Sequence, residues 1–190
     1  MSIDLSLEFP DVMTDIETTG TKQAHNAIIQ IAAVRFNLEK RTICHDFFDR
    51  CLLIPAHRSW DEDCRNNFWP KHQEVLQSIW ARMEDPKTVL QAFYQWSGRD
   101  RRFWGKPTHF DFSFLQAYFT QYDMQMPFFF RDANDMNTFI RARYWPAEPP
   151  AFEREIEFQG DAHNALNDCL HQITVLFAAA DATKNVVMVP

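Results

Sequence analysis

The stretch Asp11–Thr21, DVMTDIETTGT, places two carboxylates two positions apart inside a β-like run. Side chains at positions i and i+2 of a strand point to the same face, so Asp15 and Glu17 lie side by side while Ile16 points toward a core. Adjacent acids repel one another unless a positive charge lies between them. Carboxylate oxygens suit Mg²⁺ or Mn²⁺, so this stretch predicts part of a divalent-metal site.

The composition is typical of a globular protein. The 190 residues are enough for one domain with a substantial core, and 46% of them are hydrophobic. No apolar run reaches the ~18 residues of a membrane span, so we expect no membrane partner. The N-terminal MSIDLSLEFP does not resemble a signal peptide. The four cysteines lack CxxC spacing, which favours a reducing, cytoplasmic location over zinc or disulfides.

The net charge limits how this protein could bind nucleic acid. It is −7, from 19 Lys and Arg against 26 Asp and Glu. That balance argues against a broad, non-specific DNA-binding surface. It does not exclude a nucleic-acid substrate, because an acidic site that holds two divalent ions accepts anions locally.

The pattern of apolar residues predicts an α/β fold with a mixed sheet. Residues 12–18, 27–36 and 42–53 are predicted strands with short connections, which favours an antiparallel meander. Further strands are predicted at 102–105 and 128–131. Helices are predicted at 61–83 with a break near Pro70, from Asp85 onward, at 112–122, at 135–144, and from an Asp161 cap to about residue 180, with a loop at 145–160.

Three further residues complete a candidate constellation. Asp111 follows the fourth predicted strand, and Asp168 lies on the last helix. His163 precedes Asp168 by five residues, a net rotation of ~140° on a helix, so the two cannot be adjacent ligands on one face. The spacing suits a histidine in the first turn or the preceding loop, where it could accept a proton from an attacking water.

These motifs together resemble the DEDDh 3′–5′ exonucleases, a superfamily with a ribonuclease-H-like fold. The resemblance is carried by DIETTG at 15–20, Asp111 beside Phe110, and HNALND at 163–168. AIIQIAAVRF at 27–36 and FWGK at 103–106 are similar to the exonuclease VIII-like, 3′–5′ exoribonuclease group. The resemblance implies a single domain at 1–182 with a mixed five-stranded sheet flanked by helices, followed by a tail at 183–190.

The resemblance also implies a mechanism. Two divalent cations, Mg²⁺ or Mn²⁺, would be held by Asp15, Glu17, Asp111 and Asp168, with Asp15 touching both. His163 would act as the base, and the 3′ end of single-stranded RNA or DNA would be cut to nucleoside 5′-monophosphates. Backbone amides around Thr18 and Thr19 would contact the terminal nucleotide, and a homodimer is plausible.

Several alternatives stay open at this stage. The protein could instead be a catalytically silent nucleic-acid-binding or interaction module on the same fold. His109 could meet substrate phosphate or have no role. The basic cluster 99–102 could be a solvated surface or a phosphate contact, and the acidic loop 148–157 could be a flap at the edge of the site.

Overall fold

The structure is a computed structural model that describes residues 8–181. The predicted tail at 183–190 and the first seven residues lie outside the described residues. Among the described residues, no helix is long and apolar enough to cross a membrane.

A mixed sheet flanked by helices confirms the predicted α/β class, but the expected number of strands is wrong. The sheet has seven strands rather than five, because two two-residue strands pair at its periphery. Their order is β5-β4-β2-β1-β6-β7, with β3 pairing to β2. The strands are β1 (Asp11–Thr18), β2 (Ile28–Asn37), β3 (Thr42–Ile43), β4 (Phe48–Leu52), β5 (Met83–Glu84), β6 (Arg102–Gly105) and β7 (Ala133–Asp135).

The start of the sheet is the predicted meander, with one correction. β1 pairs antiparallel with β2, and β2 pairs antiparallel with both β3 and β4. The single strand predicted at 42–53 is therefore two strands. Between them, the Cys44 N–H donates to the Arg35 carbonyl, and the Arg35 guanidinium pairs with Asp46 at 2.7 Å. These contacts hold the segment between β3 and β4 beside β2.

The strand predicted at 128–131 is also misplaced. Residues Phe130–Asp132 form a 3₁₀ turn, and β7 follows at Ala133–Asp135, parallel to β6. Phe128 is buried against Phe103, with ring centroids 5.3 Å apart. Its apolar character therefore reflects side-chain packing rather than strand pairing.

The helices follow the predicted order. Residues Cys64–Phe68 form a π-helical turn and Trp69–Lys71 a 3₁₀ turn, which confirms the predicted break near Pro70. The helices are α1 (Gln73–Trp80), α2 (Pro86–Ser97), α3 (Thr108–Gln121), α4 (Met136–Tyr144), α5 (Phe152–Glu155) and α6 (Ala165–Asp181).

Two expectations about the last third of the chain are wrong. The loop predicted at 145–160 contains the short helix α5. The final helix begins at Ala165 instead of near Asp161, and Asn164 caps it: its Oδ1 accepts the N–H groups of Leu166 and Asn167 at 3.2 and 3.4 Å. Because asparagine is as good an N-cap as aspartate, the local sequence does not distinguish Asn164 from Asp161 as the cap.

Strand β1 divides two parts of the core. Val12 and Ile16 pack into the cluster that contains α2 and α3, whereas Met13 packs into the cluster that contains α6. Alternation along the strand places Asp15 and Glu17 on the Met13 side. The paired acids therefore face the last helix, as their spacing requires.

Candidate active site

Three acids converge at the end of β1. Asp15, Glu17 and Asp168 each offer a carboxylate oxygen, and these oxygens lie within 4.8 Å of one another. The acids line an open cleft of about 420 Å³. The cleft is also lined by Asp111, His163, His109, Lys106 and Gln172.

Close packing of α6 on the sheet brings Asp168 to the strand acids. The Cys169 thiol is buried against the backbone carbonyls of Met13 and Ala32, with S–O distances of 3.7 and 3.6 Å. Asp168, the residue before Cys169, therefore reaches the end of β1 that carries Asp15 and Glu17. One turn further along α6, Gln172 Nε2 donates to Asp15 Oδ1 at 2.9 Å.

The fourth acid, Asp111, is held by a backbone donor of β1. It lies in the first turn of α3, and its Oδ1 accepts the Ile16 N–H at 3.3 Å. A side chain at Gly105 would meet the Asp111 carboxylate at 3.1 Å and the Thr108 backbone at 3.0 Å, so glycine allows this close approach.

The four acids are electrostatically strained without a cation. Burial and the Asp168 charge raise the pKa of Asp15 to about 7. Burial, followed by the Asp15 charge, also raises the pKa values of Glu17 and Asp111 well above their usual range. Burial raises the pKa of Asp168, and its Oδ2 has no hydrogen-bond partner among the described residues. An all-oxygen set of this kind fits hard divalent cations such as Mg²⁺ or Mn²⁺.

Residues 10–179 match the family described as the 3′-5′ exoribonuclease Rv2179c-like domain. The chain belongs to this family. Family membership confirms the resemblance to 3′–5′ exonucleases that the motifs carried. It also supports 3′–5′ exonuclease activity. No curated protein matches the chain by sequence.

Solved structures share the fold of this Rv2179c-like domain at low sequence identity. Cell-death related nuclease 4 (CRN-4) is 21% identical, with a TM-score of 0.69 over 90% of this chain and 64% of that one. E. coli exonuclease I in complex with a dT13 oligonucleotide is 16% identical, with a TM-score of 0.68 over 88% of this chain and 40% of that one. The nuclease domain of 3′hExo, a DEDDh family member bound to rAMP, is 15% identical, with a TM-score of 0.67 over 93% and 94% of the two chains.

His163 lines the cleft of this exoribonuclease-like domain together with the acids. It precedes α6 with a positive φ of 63° and is partly exposed. Its ring packs against Phe68 and His72, with centroids 4.8 and 4.3 Å away. Burial lowers the pKa of His163, which favours the neutral form that can accept a proton.

Four residues near the acids escaped the sequence analysis. Gln172 had a signal, because it follows Asp168 by four positions on a helix and shares its face. Phe68 and His72 had none, since they come from the turns before α1, far from His163 in sequence. Lys106 follows the FWG strand and was not recognised as a neighbour of the acids.

The predicted substrate-binding residues fall in two places. His109 is exposed and lines the cleft. Thr19 is buried, where its N–H donates to the Ala27 carbonyl and its hydroxyl to the Ser59 carbonyl, both at 2.8 Å. The Thr18 hydroxyl donates to the Gly20 carbonyl at 2.7 Å. Substrate contact at these positions stays a prediction, and Thr19 would have to give up its present bonds.

The basic cluster at 99–102 has mainly internal partners. Arg102 pairs with the buried Asp11 at 2.7 Å, and Arg101 donates to the Phe9 carbonyl at 3.1 Å. The exposed Arg99 donates to the Tyr94 hydroxyl at 2.9 Å. These contacts connect the start of β6 to its neighbours, and a phosphate contact by this cluster stays a prediction.

Proposed function

We propose that this protein is a metal-dependent 3′–5′ exonuclease that hydrolyses single-stranded RNA or DNA to nucleoside 5′-monophosphates by a two-metal mechanism. The observation that carries the proposal is the group formed by Asp15, Glu17 and Asp168, whose oxygens lie within 4.8 Å of one another. Asp111 and His163 line the same cleft. The family description, which names an exoribonuclease, makes RNA the first substrate to test.

The acids would divide the work of holding two divalent cations. Asp15 would be shared, Glu17 and Asp168 would complete one site, and Asp111 would serve the other. Gln172 would keep the Asp15 carboxylate oriented through its 2.9 Å hydrogen bond. When bound, the cations supply Lewis-acid stabilisation of the charge that develops on the phosphate and on the leaving 3′-oxygen.

His163 would accept the proton of the attacking water. The water oxygen forms a bond to phosphorus, and the bond from phosphorus to the 3′-oxygen of the preceding nucleotide breaks. That 3′-oxygen takes up a proton from solvent, and the terminal nucleotide is released with the phosphate on its 5′-oxygen. Because burial lowers the pKa of His163, its imidazole is ready to take that proton at neutral pH.

Labelled oligomers test polarity, sugar and metal together. Single-stranded RNA and DNA, labelled at either the 3′ or the 5′ end, are incubated with Mg²⁺, with Mn²⁺ and with EDTA. We expect label at the 3′ end to appear as mononucleotide at once and 5′-labelled strands to shorten stepwise. Full activity in excess EDTA would refute the two-metal mechanism. A protein that binds Mn²⁺ and oligomers without cutting them would instead be the catalytically silent module.

Two proposals about context accompany this function. The four cysteines are free in the structure, which supports a cytoplasmic protein. We also propose a homodimer, which sedimentation of the full chain would test directly.

A further inference from the structure

Lys106 is the one lysine or arginine among the residues that line the acidic cleft in the part of the chain that the structure describes. It comes directly after β6 and lines the same cleft as Asp111. Burial raises the pKa values of Asp15 and Asp168, and the positive charge of Lys106 partly offsets that rise. The backbone therefore holds this lysine next to the acids.

The side chain of Lys106 is nevertheless paired elsewhere. Its Nζ lies 2.7 Å from Oε1 of Glu153 on the short helix α5. That helix is attached to the domain by Phe152, whose ring lies 5.8 Å from that of Tyr144. The acidic loop at 148–157 thus supplies the Glu153 carboxylate, which occupies the Lys106 ammonium at the edge of the cleft.

This pair is well suited to exchange. The Lys106 and Glu153 side chains are 25% and 48% exposed, and ion pairs near the surface are weak because water screens them. Lysine carries its charge on a flexible four-carbon stem with three rotatable donors, so it can change partner without backbone movement. A phosphate held against the acids would offer the ammonium a charge-assisted hydrogen bond.

We propose that Lys106 contacts the phosphate of the substrate's 3′-terminal nucleotide, and that Glu153 withholds its ammonium until that phosphate arrives. The inference rests on the proposed exonuclease function and names one more substrate-contacting residue for it. It also gives the acidic loop at 148–157 a role. By pairing with Lys106, Glu153 makes the protein bind the oligonucleotide more weakly than it would without that glutamate.

The test measures binding separately from hydrolysis. The probes are 5′-fluorescein-labelled oligo(U) and oligo(dT), followed by anisotropy in saturating Ca²⁺, which replaces Mg²⁺ to slow cutting. We expect Lys106→Met to weaken binding ~10-fold, as for one lost charge-assisted contact. The slope of log affinity against log salt should fall by about 0.7. Lys106→Arg should restore most of both.

Substitution of Glu153 should have the opposite effect on binding, and Glu155 on the same helix offers a matched control. Glu153→Gln should tighten binding about 2–5-fold, the range expected for losing a weak competing pair. Glu155→Gln removes the same charge from an exposed position on the same helix and should change binding less than ~2-fold. In a Lys106→Met background, Glu153→Gln should have no further effect.

Distinct results would overturn distinct claims. Unchanged affinity and salt slope in Lys106→Met would remove the phosphate contact. A Glu153→Gln effect that is absent, or that persists without Lys106, would remove the withholding role. Restored oligomer affinity in Lys106→Met when Mn²⁺ replaces Ca²⁺ and is raised to saturation, as shown by a Mn²⁺ titration, would assign its effect to the metal site and overturn the contact.

The controls separate these failures from others. Thermal melts identify any variant that does not fold, and Lys106→Arg and Glu153→Gln then carry the test. A wild-type protein that neither binds nor cuts either oligomer overturns the proposed function, and this inference with it. A wild-type protein that cuts, with variants indistinguishable from it, overturns this inference alone.

Discussion

Asp15 and Glu17 lie on a central strand of the sheet, whereas His163 lies on a loop outside it. At these acids β1 pairs antiparallel with β2, and its parallel pairing with β6 covers Asp11–Met13. His163 has a left-handed backbone, and ring contacts with Phe68 and His72 hold its side chain. The acidic wall of the cleft, which Asp15 and Glu17 form, is therefore fixed by backbone pairing. The histidine wall, which His163 forms, is fixed by packing.

The two walls also differ in how they bear charge. On the acidic wall, buried carboxylates raise one another's pKa values, so this wall is strained until cations bind. On the histidine wall, burial favours a neutral ring. The difference indicates that the acids are positioned in advance for metal, at a cost in stability, whereas packing keeps the base neutral and in place.

The largest expected effect comes from breaking the acidic wall. Asp15→Asn keeps the shape of the side chain but removes the charge shared between the two proposed cations. We expect hydrolysis of labelled oligomers to fall to background at any Mg²⁺ or Mn²⁺ concentration. Retained turnover at high metal would mean that Asp15 is not a shared ligand.

Breaking the histidine wall should cost less. Because His163 is proposed to move a proton and not to hold metal, His163→Ala should lower kcat ~10²–10⁴-fold. Oligomer affinity and Mn²⁺ affinity should stay close to those of the wild type. Single-turnover kinetics and anisotropy measure these separately, and unchanged turnover at neutral pH would remove its role as base.

Loosening the histidine without removing it should have a smaller effect. Phe68→Ala removes one of the ring contacts of His163, at a centroid distance of 4.8 Å. Misplacing a catalytic group by about 1 Å costs up to ~10²-fold in rate, so we expect a loss of roughly 10-fold in kcat with little change in KM. Gln73→Ala, at an exposed neighbouring position, is the control. Equal kcat values for the two variants would show that packing by Phe68 does not position the base.

The smallest effect concerns the stability of the metal-free protein. The pKa of Asp15 is about 7 in the folded state against 3.8 normally. Between these values the folded state binds more protons than the unfolded state, so the Asp15 contribution to stability falls as pH rises. Asp15→Asn removes this penalty and should stabilise the metal-free protein at pH 8 by about 1–3 kcal/mol, or one to two pKa units.

Urea unfolding in EDTA at pH 5 and pH 8 measures that difference. The gain from Asp15→Asn should be larger at pH 8 and should disappear when Mg²⁺ is added to the wild type, which binding then stabilises. Glu155→Gln, on the exposed helix α5, should show neither trend. A gain that shrinks as pH rises would contradict the proposed strain on the acidic wall.

Local patterns in the sequence predicted a large part of this arrangement. Alternation along β1 was enough to place Asp15 and Glu17 on one face and Ile16 in the core, because the period of a strand is fixed. The pattern of apolar residues predicted the α/β class, and the resemblance carried by the motifs implied a ribonuclease-H-like fold. The errors lie at residues 42–53, where Asp46 between β3 and β4 pairs with Arg35, and at 128–131, where Phe128 is buried by ring packing outside the strand.

The sequence by itself determined which residues could carry the chemistry: paired acids on a strand, two more on helices, and a histidine before the last one. Only the tertiary structure decided how they are supported. The start of α6 at Asn164, the packing of Phe68 and His72 on His163, and the pairing of Lys106 with Glu153 join segments distant along the chain. No local period reports such contacts, because each depends on how the sheet and helices pack together.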